Sequence, residues 1–525
     1  MEKGSGILLH VSSLPSKHGI GTFGREAHSF VKFLAKSKQK YWQMLPLNPT
    51  SYGDSPYQSF SAFALNPYFI DLDILVTEGL LTSKEVRKIK GGTNPRYVDY
   101  GKIYEERFDV LRLAFKRGWD KNEEEIQHFY HKQKYWLEDY ACFMLLKGLH
   151  GGKSFQDWKR PYRLHIKSKI NAAKEANLDE YKFWIFLQFE AFKQYKKLKA
   201  HANRRGIKII GDMPIYVSLD SADVWAHPKL FQLDQNRRPT KVAGVPPDFF
   251  SATGQLWGNP LYDWDKLKKM NYFWWKKRVQ AAGKLYDVIR IDHFRGFESY
   301  WAVPYGEKTA INGKWVKGPD YDLFEALKPV TKKLDIIAED LGVITKEVKA
   351  LKDKTGYPGM KLYQFAFNDY DRHLEGKYYA DDPNECDGPD FTNCVTPRQF
   401  KEAKLLSPFL PHNYEENCVA YIGTHDNDVE ANFIEENPQL KPAMKDYLCI
   451  WDDKDILDTM IGSLMRSRAN VVIFTPQDLL HMDKYTRMNV PAKAEGNWQF
   501  RILKEELSDE LANHLAVMTK EAGRA

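Results

Sequence analysis

The chain has 525 residues, with 77 Lys and Arg against 70 Asp and Glu, for a formal net charge of +7. Its basic runs, Lys193-Gln194-Tyr195-Lys196-Lys197, Arg204-Arg205 and Lys276-Lys277-Arg278, sit in or beside helix-like segments with interleaved aromatics. They read as solvated helix faces, and the balance excludes a nucleic-acid footprint. The length allows about three ordinary domains or one α/β barrel with insertions.

The start, Met1-Glu2-Lys3-Gly4-Ser5-Gly6, lacks the charged-then-apolar pattern of a signal peptide. The first strand-like run is Ile7-Leu8-Leu9-His10. Phe30, Phe33 and Leu34 then recur at helical spacing before a second run, Tyr41-Trp42-Gln43-Met44-Leu45. About 160 residues separate this run from the third, far more than one crossover helix needs. Residues from about 80 to 200 read as amphipathic helices, such as Tyr135-Trp136-Leu137 through Leu145-Leu146 and Phe183-Trp184-Ile185-Phe186-Leu187. They are expected to form a helical insertion between the second and third strands.

The third run is Ile207-Lys208-Ile209-Ile210. After it, residues from about 243 to 260 are Pro/Gly-punctuated and aromatic, and read as a non-helical flap loop over a binding site. Runs four to eight are Val288-Ile289-Arg290-Ile291, Ile336-Ile337-Ala338, Met360-Lys361-Leu362-Tyr363-Gln364-Phe365, Val419-Ala420-Tyr421-Ile422 and Val471-Val472-Ile473-Phe474. Short β-branched runs alternating with helical patterns argue for a parallel sheet. Eight of them fit a (β/α)8 TIM barrel, expected as a single catalytic domain over 1–525, with long loops over the rim where the strands end. A doubly wound open sheet is the alternative.

Three runs end in an acid. Ile291 leads into Asp292, Ala338 into Glu339, and Ile422 through Gly423, Thr424 and His425 to Asp426. A carboxylate is costly to desolvate and belongs at a strand's solvent-facing rim. Arg290 and Asp292, two apart on a strand, share a face. A cation there keeps Asp292 ionised, as a nucleophile must be; a rim ion pair without chemistry is the bland alternative. Glu339 is a candidate acid/base and Asp340 its rival, with Asp340 suited to capping a helix. Asp212, in Gly211-Asp212-Met213-Pro214, puts a fourth acid at the end of the third strand. Two carboxylic acids of different pKa are the equipment for cleaving a glycosidic bond with retention.

Cys142, Cys386, Cys394, Cys418 and Cys449 are odd in number, and no pair has zinc-ligand spacing. This points to a reducing compartment without a disulfide framework. No apolar stretch approaches the roughly 18 residues of a membrane span, so the expectation is a cytoplasmic protein with no membrane partner. His293 and His425 lack the spacing of a metal site. No phosphate-cradling glycine motif follows an early strand, which disfavours an open-sheet nucleotide enzyme. Neither a metal nor a cofactor is expected.

With these motifs the chain closely resembles the amylomaltases, the 4-α-glucanotransferases or disproportionating enzymes of the α-amylase clan. The resemblance runs from Leu8-Leu9-His10-Val11-Ser12-Ser13-Leu14-Pro15 through Gly53-Asp54-Ser55-Pro56-Tyr57-Gln58 and Gly211-Asp212-Met213-Pro214-Ile215-Tyr216. It takes in the Pro246 to Pro260 loop and the acid motifs, and ends with Arg487-Met488-Asn489-Val490-Pro491 and Gly496-Asn497-Trp498. It implies Asp292 as nucleophile, Glu339 as general acid/base and Asp426 as transition-state stabiliser. It implies donor-sugar contacts from Asp212, Arg290, His293 and His425, and aromatic platforms at Tyr57 and Trp257. Phe250 and Gln255 fall in the matching flap and Asn489 in a second loop. The implied partners are malto-oligosaccharides and linear α-1,4-glucans. A retaining α-glucan hydrolase on the same barrel, and a glycan-binding protein with a retired site, are the competing readings.

Overall fold

The computed structural model describes every residue except Tyr52, 248–250, Val343, 369–377, 380–393, 396–406, Ala492 and Ala494. Eight parallel strands form its centre: β1 (Gly4–Leu8), β2 (Tyr41–Gln43), β3 (Lys208–Met213), β4 (Val288–Ile291), β5 (Asp335–Ala338), β6 (Gly359–Leu362), β7 (Cys418–Tyr421) and β8 (Val471–Phe474). They lie in sequence order around the sheet, with β8 beside β1. The ring closes where the Ala338 N–H on β5 donates to the Pro358 carbonyl just before β6, at 2.9 Å. This is the expected barrel, and it removes the open sheet. Strands β4, β7 and β8 are buried throughout. Helices cover their outer face and the barrel interior takes the other, so their sequences run apolar instead of alternating.

The first strand begins three residues before its apolar run, at Gly4 rather than Ile7. Gly6 pairs with Tyr41 on β2, and a Cβ there would stand 2.5 Å from the Tyr41 carbonyl. Close approach, which strand propensity does not register, selects glycine. The sixth run is also shorter than its sequence: β6 ends at Leu362, although Tyr363 and Gln364 still donate to the Tyr421 and Ile422 carbonyls of the β7 side.

Between β2 and β3 lie the expected helices, chief among them Tyr100–Gly118, Glu123–Leu149, Lys167–Ala176 and Leu178–Asn203. Glu123–Leu149 packs along Leu178–Asn203, and that last helix also packs on Arg25–Lys36 and leads into β3. It serves as the barrel's own crossover helix while carrying the insertion on its other side. Much of the aromatic content is spent here: Phe115 packs edge-on against Trp119, Phe183 and Phe186, while Phe63 stacks on Trp136 and meets Trp274 edge-on. No helix among the described residues is long and apolar enough to cross a membrane.

The 243–260 segment, read as loop, begins and ends in strand. Lys241–Val245 and Gln255–Pro260 pair antiparallel, and Ser299–Pro304 and Lys314–Lys317 extend them into a four-stranded sheet. Pro246-Pro247 follow the first of these strands and Gly254, at φ +68°, precedes the second. The flanks keep their ladder because the partner strand at 299–304 lies beyond any window of local reading.

Candidate active site

Strands β4 and β5 place the first two acids. Ile291 pairs with Ala338 in the parallel register, so Asp292 and Glu339 are the next step on each strand. The ladder continues through them: Glu339 N–H donates to the Ile291 carbonyl at 3.0 Å and Asp292 N–H to Met213 at 3.1 Å. Immediately after, His293 turns the chain at φ +52°, a left-handed conformation that few residues with a Cβ adopt. The turn aims the His293 N–H at Glu339 Oε2, 2.7 Å away, while Leu341 N–H donates to Oε1 at 2.8 Å. The His293 ring meets Trp257 of the hairpin edge-on at 4.8 Å, and Trp257 Nε1 donates to Gln255 at 3.2 Å.

Arg290, one residue pair deeper, is the hub. Its Nη1 donates to Asp212 at 2.7 and 2.9 Å and to Asp292 Oδ1 at 2.9 Å. Asp212 passes the connection on. Tyr57 Oη lies 2.7 Å from Asp212 Oδ2 and 2.8 Å from His425 Nε2. An ionised carboxylate only accepts, so the Tyr57 hydroxyl donates to Asp212 and accepts from His425. His425 therefore carries its proton on Nε2, which also lies 3.2 Å from Asp426 Oδ2. Asn489 Nδ2 donates to the other oxygen of Asp426 at 2.6 Å, and Arg487 holds the Asp426 main-chain carbonyl at 2.9 Å. The side chains of Arg290 and Asp212 are 4% and 1% exposed, those of Asp292 and Asp426 27% and 44%. The ion pair is thus a buried floor, and the two acids above it are open to a ligand.

The acids differ in proton affinity for visible reasons. Burial pushes Glu339 up to about 7; Arg290 opposes this, Asp292 adds to it, and the two amide hydrogen bonds work against it. Burial also raises Asp292 to about 6, against the pull of Arg290. Desolvation outweighs the cation that the sequence reading put first. Asp426 is the opposite case: burial works upward, but His425, Asn489 and Arg290 together hold it well below the usual carboxylate range. His293 is lowered to about 3 by burial, then Arg295, and is neutral.

Eleven of the twelve residues expected from sequence thus stand around one cleft: Asp292, Glu339, Asp426, Tyr57, Asp212, Gln255, Trp257, Arg290, His293, His425 and Asn489. Phe250 lies outside the described residues. Asp340 caps no helix; the cap of the following helix, Lys346–Thr355, is Thr345. Instead Asp340 faces outward, takes the Met360 N–H at 2.7 Å and pairs with Lys352 at 2.7 Å, tying β5 to β6. Sequence reasoning passed over Trp498 as a site residue. It packs at 5.7 Å from Tyr57 and 6.0 Å from His425, walling the same pocket. Its signal was the Gly496-Asn497-Trp498 turn, where Trp498 itself adopts φ +66°.

A family model described as 4-alpha-glucanotransferase matches residues 9–384 and 394–506. A 4-alpha-glucanotransferase of Clostridium butyricum is 45% identical over 98% of this chain and 100% of its own. One from Thermus thermophilus is 43% identical over 99% and 98% of the two chains. The amylomaltase from Streptococcus agalactiae, solved in complex with acarbose, superposes with a TM-score of 0.91 at 38% identity, covering both chains completely.

Proposed function

The chain belongs to the 4-alpha-glucanotransferase family, and we propose that Asp292 is its nucleophile, Glu339 its acid/base and Asp426 its fixed anion. The transferred piece is an α-1,4-glucan segment of a malto-oligosaccharide. The observation that carries the assignment is the placement of the three acids: Asp292 on the Arg290 guanidinium, Glu339 beside it on the next strand with its proton affinity raised, and Asp426 held by His425 and Asn489, which lower its own.

In the first step Glu339 gives its proton to the glycosidic oxygen as the bond from that oxygen to the anomeric carbon breaks. An Asp292 oxygen attacks the same carbon from the opposite face, and the reducing-end fragment leaves as an alcohol. In the second step the Glu339 carboxylate takes the proton of an acceptor's 4-hydroxyl. That oxygen attacks the anomeric carbon and Asp292 departs. Two inversions give net retention, which asks for carboxyl groups about 5–5.5 Å apart. Asp292 and Glu339 follow directly paired residues on adjacent strands, whose spacing is about 4.8 Å. Asp426, with its oxygens held by Asn489 and His425, stabilises the cationic sugar and receives its 2- and 3-hydroxyls. Asp212, Arg290, His425 and His293 line the donor site, and Tyr57 offers its ring as a platform. The acarbose held by the Streptococcus agalactiae relative supports the same ligand class here.

Transfer in place of hydrolysis needs a sugar to reach the intermediate before water does. Trp257, packed on His293 beside both acids, is suited to hold that acceptor, together with Phe250 on sequence grounds.

Incubation with pure maltotriose tests the reading, with an Asp292→Asn control. Glucose plus a ladder of longer oligomers, lost in the control, is expected. Glucose and maltose with nothing longer would make the protein a hydrolase. An unchanged ladder in the control would remove Asp292 from the mechanism.

A further inference from the structure

Asp426 sits on the turn that follows β7, and its position depends on how that turn is held. The turn has no regular structure from Gly423 to Val429, so side chains must supply what a ladder or helix would otherwise give. Asn427 supplies it from within: its Oδ1 accepts from Thr424 N–H at 2.9 Å and from Thr424 Oγ1 at 3.0 Å. The Thr424 hydroxyl, its proton so used, accepts the Asp426 N–H at 3.4 Å.

These contacts fix the direction of a longer chain. A backbone N–H only donates, so Asn427 must turn its oxygen toward Thr424 and its NH2 outward. That NH2 meets Gln364 Oε1 at 3.0 Å. Gln364 must then turn its own NH2 the other way. Its Nε2 donates to the Asp428 carbonyl at 3.2 Å and to Glu430 Oε2 at 2.8 Å. Glu430 closes the chain as an acceptor, and its own N–H is held by Asp478 at 2.9 Å. Gln364 is 4% exposed, Glu430 fully buried and Asp478 3% exposed.

We propose that Gln364 and Glu430 are positioning residues for Asp426, fixing through Asn427 and Thr424 the turn that presents its carboxylate to the transition state. The chain runs from a buried acid behind the barrel rim to the Asn427 side chain, one residue after Asp426, and through it to Thr424, two residues before it. Glu430 acts as an acceptor in its neutral form. Burial and the neighbouring Asp478 raise it to about 8, and its Oε1 is buried without a partner. A neutral carboxyl keeps the carbonyl oxygen that Gln364 needs and avoids placing a second buried charge beside Asp478.

The inference rests on the assignment of Asp426 above, and steady-state kinetics on maltotriose separates the two. Gln364→Met keeps volume and removes both ends of the amide. It is expected to lower kcat about 10- to 100-fold while KM moves less than about 3-fold, because the turn matters where charge develops. Asn427→Ala is expected to do the same, and the double variant to lose no more than the worse single one, since both cut one chain. Glu430→Leu should fall with them. Glu430→Gln, which still offers a carbonyl oxygen, should recover most of that loss. A folded Gln364→Met or Asn427→Ala protein with kcat within about 2-fold of the parent overturns the proposal. So do additive losses in the double variant, or a Glu430→Gln protein no better than Glu430→Leu. The control is Asp426→Asn: if that variant keeps its kcat, the assignment of Asp426 itself falls, whatever Gln364 does.

Discussion

The rim at β4 and β5 and the rim after β7 carry the same kind of group in the same cleft and treat it in opposite ways. Burial works upward on the carboxyl groups at both. At β4 and β5 it wins: Glu339 reaches about 7 and Asp292 about 6, because Arg290 is shared with Asp212 and the two acids repel each other. After β7 it loses: Asp426 has the His425 ring and the Asn489 amide on its oxygens, and ends well below the ordinary range. The lesson is that the charges around a carboxylate, more than its number of donors, decide which acid carries a proton and which stays an anion: Glu339 has two amide donors but a carboxylate beside it, whereas Asp426 has His425.

The comparison breaks first at its most reactive member. Asp292→Asn removes the nucleophile and should cost at least about 10,000-fold in kcat; a residual rate within 100-fold would show that another group attacks. Glu339→Gln should cost about 1,000-fold on maltotriose. With α-maltosyl fluoride, whose leaving group needs no proton, formation of the glycosyl-enzyme should be nearly normal. An equal loss on both substrates would deny Glu339 the role of acid. Asp426→Asn should cost about 100- to 1,000-fold, and Asn489→Ala, which leaves the anion but strips one donor, about 10-fold. An Asn489→Ala loss as large as that of Asp426→Asn would mean that the donor, not the anion, meets the substrate.

The pH dependence sharpens the same contrast. Asp292 must be ionised and Glu339 protonated in the free enzyme, so kcat/KM should fall below about pH 6 and above about pH 7, as apparent values of the coupled pair. No limb should trace to Asp426. Stability gives the smallest effect and opposite signs. Glu339 has its folded pKa raised from 4.5 to about 7, so its contribution is complete below about 4.5 and is lost as pH rises through 7. Glu339→Gln should therefore gain Tm on the parent across that window. Asp426 is depressed when folded, so its contribution is present above its ordinary value of 3.8 and is lost on acidification. Asp426→Asn should lower Tm at pH 7 and converge with the parent in acid. Both shifts should be about 1–3 °C, and equal signs would erase the distinction between the two rims.

Much of this was legible in the sequence, for a physical reason. A strand buried on both faces must be apolar, so an acid at its end marks a rim, and all eight barrel strands and the three central acids could be read that way. What stayed hidden was non-local. Gly4 to Gly6 are strand because Tyr41 packs against them, and the hairpin flanks are strands because residues 299–304 pair with them. The direction of the Asp292 shift needed the full set of neighbours, since a single Arg-x-Asp does not show that Asp212 competes for the same guanidinium. Trp498 lies 73 positions from His425 and Gln364 lies 63 from Asn427 and 66 from Glu430, and only the closed barrel brings them near.

The most direct measurement is to catch the intermediate. Glu339→Gln, incubated with α-maltosyl fluoride, lacks the base that would release the sugar, so the glycosyl-enzyme should accumulate. Peptide mapping by mass spectrometry should then find a maltosyl increment on the peptide containing Asp292, absent from the Asp292→Asn, Glu339→Gln double variant. The same increment on the peptide containing Asp426, or turnover with no covalent species at any time, would contradict the assignment of the two rims.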